Sequence, residues 1–432
     1  MTRQKITAGI DVGSSKVATL IASSDDDQRL KIIGAASVPS KGVKKGQIVD
    51  IEEAAESILQ SVEAAERMAG YNLTRAFVSI GGAHINSFNS KGVVAVSEPE
   101  GEIAAEDVDR VIEAAQAVSL PSPKEVLHVL PRYYIVDGQE GVKDPVGMSG
   151  VRLEVETHII AGSTTAIKNL TKCIEQMGIN VEEMVAGGLA SAESVLSETE
   201  KELGVVLIDI GGGTTSLLIY VEGAPFYAAV LPIGAKNVTN DLAIGLRLSS
   251  LETAEKIKIA LSVEEKKPVL PKKAKLEEDN KDDELNLAKL GIMGESRTVS
   301  KKTLVEGIIK PRLNEIMAMV AAEIKESGAA GLTPAGAVIC GGGAQTVGLT
   351  KVAKQALMIP VRLAEPRGLT GLVDEIQTPA YATVTGLLLY GLQATPKTKA
   401  GFSLGSIGKR LPRIPVRGAA GKVLALIRSF LP

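Results

Sequence analysis

The sequence predicts an α/β protein built on a duplicated strand-turn-strand unit, with an α+β insertion in its first half and an amphipathic helix at its C-terminal end. Three observations carry this. The stretch VVLIDIGGGTTSLLIY, residues 205 to 220, reads as a buried strand, an acid, three glycines and a second strand. ITAGIDVGSSKVATLIA, residues 6 to 22, repeats that layout, placing Asp11 on Asp209, Gly13 on Gly211, Ser14 on Gly212, Ser15 on Gly213 and Lys16 on Thr214. The composition then changes at Ala394, where an acid-free basic tail begins. The two turns lie 198 positions apart, too far for a solenoid repeat and suited to a duplicated domain carrying insertions.

Composition sets the class. A chain of 432 residues corresponds to about three domains, and 45% hydrophobic against 23% charged residues is enough to bury sizeable cores. The net charge of -3 lacks the basic surface that nucleic-acid binding demands. Cys173 and Cys340 show no pairing pattern, which fits a reducing compartment. Asp11 arrives too early for a signal peptide, and no apolar run reaches the roughly 18 residues of a membrane span. Contact with a membrane is therefore expected to lie along its surface.

Along the chain, the first hairpin leads into IEEAAESILQSVEAAERMAG. Its helical apolar spacing at Ile51, Ala54, Ala55, Ile58, Leu59 and Val62 ends at Gly70 as a C-cap. RAFVSIGG reads as a strand. Residues 83 to 162 hold strand-like runs (SKGVVAV, EVLHVLPRYYIV, VRLEVETHII) and the acidic helix IAAEDVDRVIEAAQAV, enough for a separate α+β subdomain.

The two turns are where chemistry is expected. Small residues let backbone N–H groups approach phosphate oxygens without interference from a Cβ, and the Ser14, Ser15, Thr214 and Thr215 hydroxyls and Lys16 add donors. Asp11 and Asp209, each at a strand end, can reach Mg²⁺ through water. Either turn alone is also compatible with a solvated hairpin; the pair in matching contexts favours a two-sided phosphate grip. A third cluster, Gly341, Gly342 and Gly343 in PAGAVICGGGAQTVGL, follows a buried strand and offers bare backbone to a base or sugar. The patterns G-x-x-x-x-G-K-[ST] and G-x-G-x-x-G are both absent, which disfavours P-loop and dinucleotide folds.

Residues 264 to 284 hold 14 charged residues of both signs, the pattern of a solvated loop or a docking surface. The tail beyond Ala394 has eight Lys or Arg residues and no acid. In GKVLALIRSFLP, Val423, Leu424, Leu426, Ile427, Phe430 and Leu431 share one helical face, with Lys422 and Arg428 opposite, as in a helix lying in a membrane interface. His84, His128 and His158 are scattered among strand-like runs and read as structural.

The segments Asp11-Val-Gly13-Ser-Ser-Lys16, Asp209-Ile-Gly-Gly-Gly-Thr214 and Cys340-Gly-Gly-Gly-Ala344 resemble the phosphate-1, phosphate-2 and adenosine motifs of the actin, heat-shock chaperone and sugar-kinase superfamily. Within it, residues 128 to 162 and the tail are similar to the FtsA family of bacterial actin-like division proteins. The resemblance implies duplicated actin-like (ribonuclease H-like) domains flanking a cleft for ATP and Mg²⁺. AEKIKIALS looks like the helix whose acid and lysine hold ribose and adenine, which points to Glu255 and Lys258.

It implies a first subdomain over 1–82, completed by 163–202 and 370–393, with 83–162 as the inserted interaction subdomain. The second would be 203–242 completed by 303–369, with 243–302 as its small subdomain, 394–417 as linker and 418–432 as the membrane helix. Superfamily hydrolases orient water with an acid or Gln where this chain has Gly187 and Gly188; Glu193, a helical turn away, is the nearest candidate. Slow turnover at most is expected. The partners implied are the C-terminal tail of the tubulin-like FtsZ, further copies of the chain in a filament, other division proteins and anionic lipid, at the cytoplasmic face of the cell membrane at the division site. An actin-like scaffold of a pilus or secretion machine is the alternative; a small-molecule kinase or phosphatase would need a catalytic base that no segment announces.

Overall fold

A computed structural model describes residues 5–24, 29–97, 101–117, 123–265, 283–290, 298–372 and 376–393. The tail, and most of the charged run from 264 to 284, lie outside the described residues.

The duplication is visible in the sheets. In the first half, β1 (Lys5–Val12), β2 (Lys16–Ser24) and β3 (Leu30–Pro39) form an antiparallel meander. A small hairpin follows, β4 (Val43–Lys44) and β5 (Gln47–Ile48), then α1 (Ile51–Ala69) and β6 (Arg75–Ile80), which returns parallel to β1. After the insertion come α3 (Thr164–Glu175), β11 (Asn180–Ala186) parallel to β6, α4 (Gly187–Val195) and α5 (Glu198–Leu203).

The second half repeats the plan with β12 (Val205–Ile210), β13 (Thr215–Val221) and β14 (Ala224–Leu231) as its meander. It continues through α6 (Ala235–Leu246), α7 (Leu251–Glu265), a small hairpin of β15 (Glu284–Asn286) and β16 (Thr298–Ser300), and α8 (Lys310–Glu326). Next are β17 (Ala337–Cys340), α9 (Leu349–Leu357) and β18 (Val361–Leu363), with β17 parallel to both β12 and β18. β19 (Leu369–Gly371) then extends the first sheet beside β3, and α10 (Ala382–Gln393) closes the described chain. The orders β3-β2-β1-β6-β11 and β14-β13-β12-β17-β18 are the same topology twice, which is the actin-like arrangement.

Register confirms the sequence alignment residue by residue. Asp11 pairs with Ala18 and Val12 with Val17; Asp209 pairs with Ser216 and Ile210 with Thr215. Both turns close with the same bond, Gly13 N–H to Lys16 O at 3.0 Å and Gly211 N–H to Thr214 O at 2.8 Å.

Helix α1 shows why this sequence gives this element. Asp50 caps its start by accepting from Glu52 N–H and Glu53 N–H, each at 3.0 Å, and Gly70 ends it in the left-handed region at φ 63°. Its inner face differs from the apolar spacing: Leu59 points outward, while Ser57 and Ser61 are buried with Ala54, Ile58, Val62 and Ala65. Small hydroxyl residues permit close approach to the sheet, and both find partners. Ser61 Oγ bonds Thr19 Oγ1 at 2.9 Å, and Ser57 Oγ bonds Glu53 O at 3.0 Å.

The insertion folds on its own sheet, β7 (Asn86–Ala95), β10 (Arg152–Ser163), β8 (Lys124–Val136) and β9 (Gln139–Val142) in that spatial order, with α2 (Ala105–Gln116) on one face. Gly92 lets α2 lie against β7, since a Cβ there would stand 2.1 Å from Val111 O. Ile103, Val111, Ala115, Tyr134, Val136, Leu153 and Val155 form its core. β7 and β14 are both edge strands, and they meet: the Ser87 hydroxyl donates to Ala228 O and accepts from Ala228 N–H, both at 2.8 Å. Arg132 lies over the Phe226 ring at 4.9 Å, so the insertion is fastened to the second half as well as to the first.

Candidate functional site: two opposed aspartate turns

The matching topology brings the β1–β2 turn and the β12–β13 turn face to face. A Cβ on Gly212 would stand 1.9 Å from Ser15 Oγ, and one on Gly213 would stand 2.9 Å from Ser14 Oγ. The glycines of one turn are the space that the serines of the other fill. The β4–β5 hairpin seals a third side, with Gly46 N–H donating to Ser14 Oγ at 2.8 Å.

Each aspartate ends a central strand where packing strips it of water, Asp209 buried and Asp11 partly exposed. Asp11 accepts from Ser79 Oγ at 2.6 Å, and Ser79 lies near the end of the parallel neighbour β6. Asp209 accepts from Ser191 Oγ at 2.5 Å and Thr383 Oγ1 at 3.1 Å, from α4 and α10. Burial raises both carboxyls above the ordinary 3.8 despite these donors, and the charge of Asp11 raises Asp209 further. Lys16 is the cation near both. Burial pushes its ammonium down to about 8 against the pull of Asp11 and Asp209, and its Nζ sits 3.5 Å from the centre of the Tyr381 ring.

Two dehydrated carboxylates beside opposed small-residue turns fit a hydrated divalent cation with phosphate. The described residues contain no group of three or more acidic, His or Cys side chains that could hold a metal alone. The remaining ligands of a Mg²⁺ would be water and phosphate oxygens, as that ion prefers.

The other sequence-derived candidates divide. Glu255 and Lys258 come together on α7: Lys258 Nζ bonds Glu255 Oε2 at 2.7 Å and Thr239 Oγ1 at 2.9 Å, and it reaches Ala235 O, at the start of α6, at 3.4 Å. Lys258 is buried among these partners. Of the three adenosine-motif glycines only Gly342 faces outward. Gly341, at φ 84°, and Gly343 are also required by packing: a Cβ on Gly341 would stand 2.2 Å from Asp209 Oδ1, and one on Gly343 would stand 2.4 Å from Ile210 Cγ2. They make room for the aspartate strand.

Thr214 stays partly open at the turn, whereas Thr215 is fully buried with its hydroxyl donating to Ile233 O at 2.9 Å. Glu193 is not aimed at the turns; its carboxylate pairs with Lys201 Nζ at 3.1 Å and accepts from Gln393 Nε2 at 3.2 Å. The three histidines have structural partners: Ser163 N–H for His84, Ala186 N–H for His128 and Asn89 Oδ1 for His158.

One residue outside the motifs joins the site. Lys236, in the first turn of α6, donates from Nζ to Ser14 O at 2.6 Å, crossing from the second half to the first. Its only sequence signal is a lysine two residues after the glycine that begins a helix.

Comparison with known proteins agrees with this fold. Residues 82–161 match the family described as "SHS2 domain inserted in FTSA", and residues 206–386 match "Cell division protein FtsA". The chain is 40% identical over 427 residues to the cell division protein FtsA of Pseudomonas aeruginosa, covering 95% of each. It is 34% identical to that of Escherichia coli over 95% of this chain and 97% of the relative. Among solved structures, a PilM-PilN type IV pilus biogenesis complex matches with a TM-score of 0.60 at 16% identity, covering 90% of this chain and 98% of that one, a likeness of fold. Among the described residues no helix is long and apolar enough to cross a membrane.

Proposed function

Since the chain belongs to the FtsA family of cell-division proteins, we propose that it is an ATP-binding, self-assembling adaptor that tethers FtsZ filaments to the cytoplasmic face of the membrane at the division site. The observation that carries the nucleotide part is the opposition of two dehydrated aspartates across turns whose glycines leave room for one another. Asp11 and Asp209 would hold a Mg²⁺, which when bound would supply neutralisation of the phosphate charge.

This chain's own residues do the rest. The Ser14–Ser15 and Gly212–Gly213 backbones bring N–H donors to the phosphates from two sides, the Gly13 and Gly211 N–H groups being spent on closing the turns, and Lys16 adds a cation from the first turn. Ser79, Ser191 and Thr383 hold the carboxylates in place with their hydroxyls. Glu255 and Lys258 stand at the base and sugar end, on the helix bonded to the start of α6. With Glu193 engaged by Lys201 and Gln393 and no other acid at Gly187–Gly188, the nucleotide acts chiefly as an assembly ligand with slow turnover at most.

The membrane part rests on the sequence of the tail. A single short amphipathic helix binds reversibly, gaining roughly 1 kcal/mol per basic residue near anionic lipid. Filaments carrying many such helices bind by avidity. The C-terminal tail of FtsZ docks on the region of residues 243–302, and the insertion serves contacts with neighbouring copies and other division proteins.

The deciding experiment is co-sedimentation with anionic liposomes in the presence of Mg-ATP, comparing the full chain, a chain ending at Gly418, and Leu426→Glu with Phe430→Glu. The full chain should sediment, and do so less as salt rises past the roughly 8 Å Debye length of physiological buffer. The shortened and doubly substituted proteins should remain in the supernatant with unchanged melting temperatures. Sedimentation of the double variant at 0.15 M salt would remove the membrane reading.

A further inference from the structure

We propose that Lys236 is a second phosphate-binding cation of the nucleotide cleft, supplied by the second half opposite Lys16 of the first. The inference rests on the nucleotide reading above and extends it to a residue outside the three motifs.

Position comes first. The start of α6 is bonded directly onto the β12–β13 turn: Ala235 N–H donates to Gly211 O at 2.9 Å and Lys236 N–H to Gly212 O at 2.8 Å. Gly234 permits this, because a Cβ there would stand 2.6 Å from Gly211 O and 2.7 Å from Gly212 O. Lys236 is thereby fixed relative to the turn that carries Asp209. From that base its side chain spans the cleft to Ser14 O in the turn that carries Asp11. It is the described side chain that is anchored at one aspartate turn and bonded to the other.

Charge comes second. Among the described residues no carboxylate forms an ion pair with Lys236. The nearby acid, Glu255, is already shared by Lys258 and by the Thr239 hydroxyl, which donates to it at 2.5 Å. An ammonium has three donors, and here one is spent on a neutral carbonyl. The remaining donors belong to an exposed residue at the junction of the two turns, whose ammonium pKa is lowered by partial burial and supported only at a distance by Glu255. Mg²⁺ and Lys16 leave a nucleoside triphosphate short of neutralisation, and a flexible point charge is suited to the difference. Lys258 cannot serve, being buried and paired. In exchanging Ser14 O for a phosphate oxygen, Lys236 would release a strap between the halves as the ligand takes over that link.

The test is calorimetric titration of the full chain with ATP, ADP and adenosine in the presence of Mg²⁺, on the wild type, Lys236→Met and Lys236→Arg, with melting temperatures recorded without nucleotide. Losing a charge-assisted contact should weaken ATP and ADP about tenfold or more, leave adenosine unchanged, and flatten the salt dependence of ATP binding. Arginine should restore most of the loss, which also keeps the test alive if methionine perturbs folding. Equal ATP affinity in folded Lys236→Met would overturn the proposal. So would an equal loss for all three ligands, since that marks Lys236 as a structural strap on Ser14. Failure of the wild type to bind ATP or ADP would instead sink the nucleotide reading, and Lys236 with it.

Discussion

The β1–β2 and β12–β13 turns share one backbone and divide the side chains between them. Both place an aspartate two residues ahead of the glycine that closes the turn, and both close with the same N–H to carbonyl bond. The first then carries Ser14, Ser15 and Lys16; the second carries Gly212, Gly213 and Thr214. A symmetric pair could not close in this way. Two serine turns would collide, as the 1.9 Å separation built for a Cβ on Gly212 shows, and two glycine turns would leave the first without its hydroxyl and ammonium donors. The duplicated fold supplies matched backbones, and divergence at three positions turns them into complementary surfaces.

The largest effect should come from breaking that complementarity. Gly212→Ser alone drives a side chain into Ser15 and should weaken ATP binding at least tenfold, about 1.4 kcal/mol. Pairing it with Ser15→Gly moves the same side chain across the cleft and should recover most of the affinity in a calorimetric titration. If the single variant binds as the wild type does, packing between the turns is not what the glycines serve. If the pair is no better than the single, the serines have a role beyond filling space.

A second test separates function from stability. An acid whose folded-state pKa exceeds its unfolded value holds protons more tightly when folded. Nucleotide-free stability contributed by Asp11 and Asp209 is therefore lost as pH rises from their ordinary value of 3.8 through the raised folded values. Above that window the buried charges are a standing cost. Asp209→Asn keeps an oxygen to accept from Ser191 and Thr383 and removes the charge, so it should raise the melting temperature of the nucleotide-free protein at pH 7. The same substitution should abolish the further rise that Mg-ATP gives the wild type. A lower melting temperature without nucleotide would mean that Asp209 is a net stabilising charge, and the dehydration account would fail.

The sequence carried the duplication because a turn motif, unlike a helix face, fixes residue identity at each position; Asp11 and Asp209 aligned without any knowledge of the sheets. It carried α1 through its apolar spacing and Gly70 but missed the Asp50 cap and the inner face, since Ser57 and Ser61 face inward only because Thr19 and a local carbonyl take their hydroxyls. Gly341 and Gly343 read as bare backbone for a base, and the sequence did not show that they must also make room for Asp209 and Ile210 from a strand far away in sequence. Thr215 followed the motif by position and was lost to the fold by strand alternation, which turned its hydroxyl to Ile233. Lys236 gave only the weak signal of its place after Gly234, because its meaning lies in the approach of two segments more than two hundred residues apart. Local chemistry was legible; contacts made by closure of the two halves were not.

The smallest effect tests how unequally the two aspartates are held. Asp11 has one hydroxyl donor, Ser79, from a neighbouring strand of its own sheet; Asp209 has two, Ser191 and Thr383, from α4 and α10. Ser191 Oγ also lies 3.0 Å from Thr383 Oγ1, so either hydroxyl can turn its single proton to the other while that one serves Asp209. Removing one donor of a linked pair leaves the carboxylate partly satisfied, whereas removing the single donor leaves it with none from a side-chain hydroxyl. Ser79→Ala should therefore weaken Mg-dependent ATP binding more than Ser191→Ala, with losses of about tenfold against two- to threefold, on the scale of one hydrogen bond to a charged group. Binding of adenosine, which needs neither carboxylate, should be unchanged in both. Equal losses would show that the two aspartates are held alike in solution, and that the extra donor on the second turn serves the packing of α4 against α10.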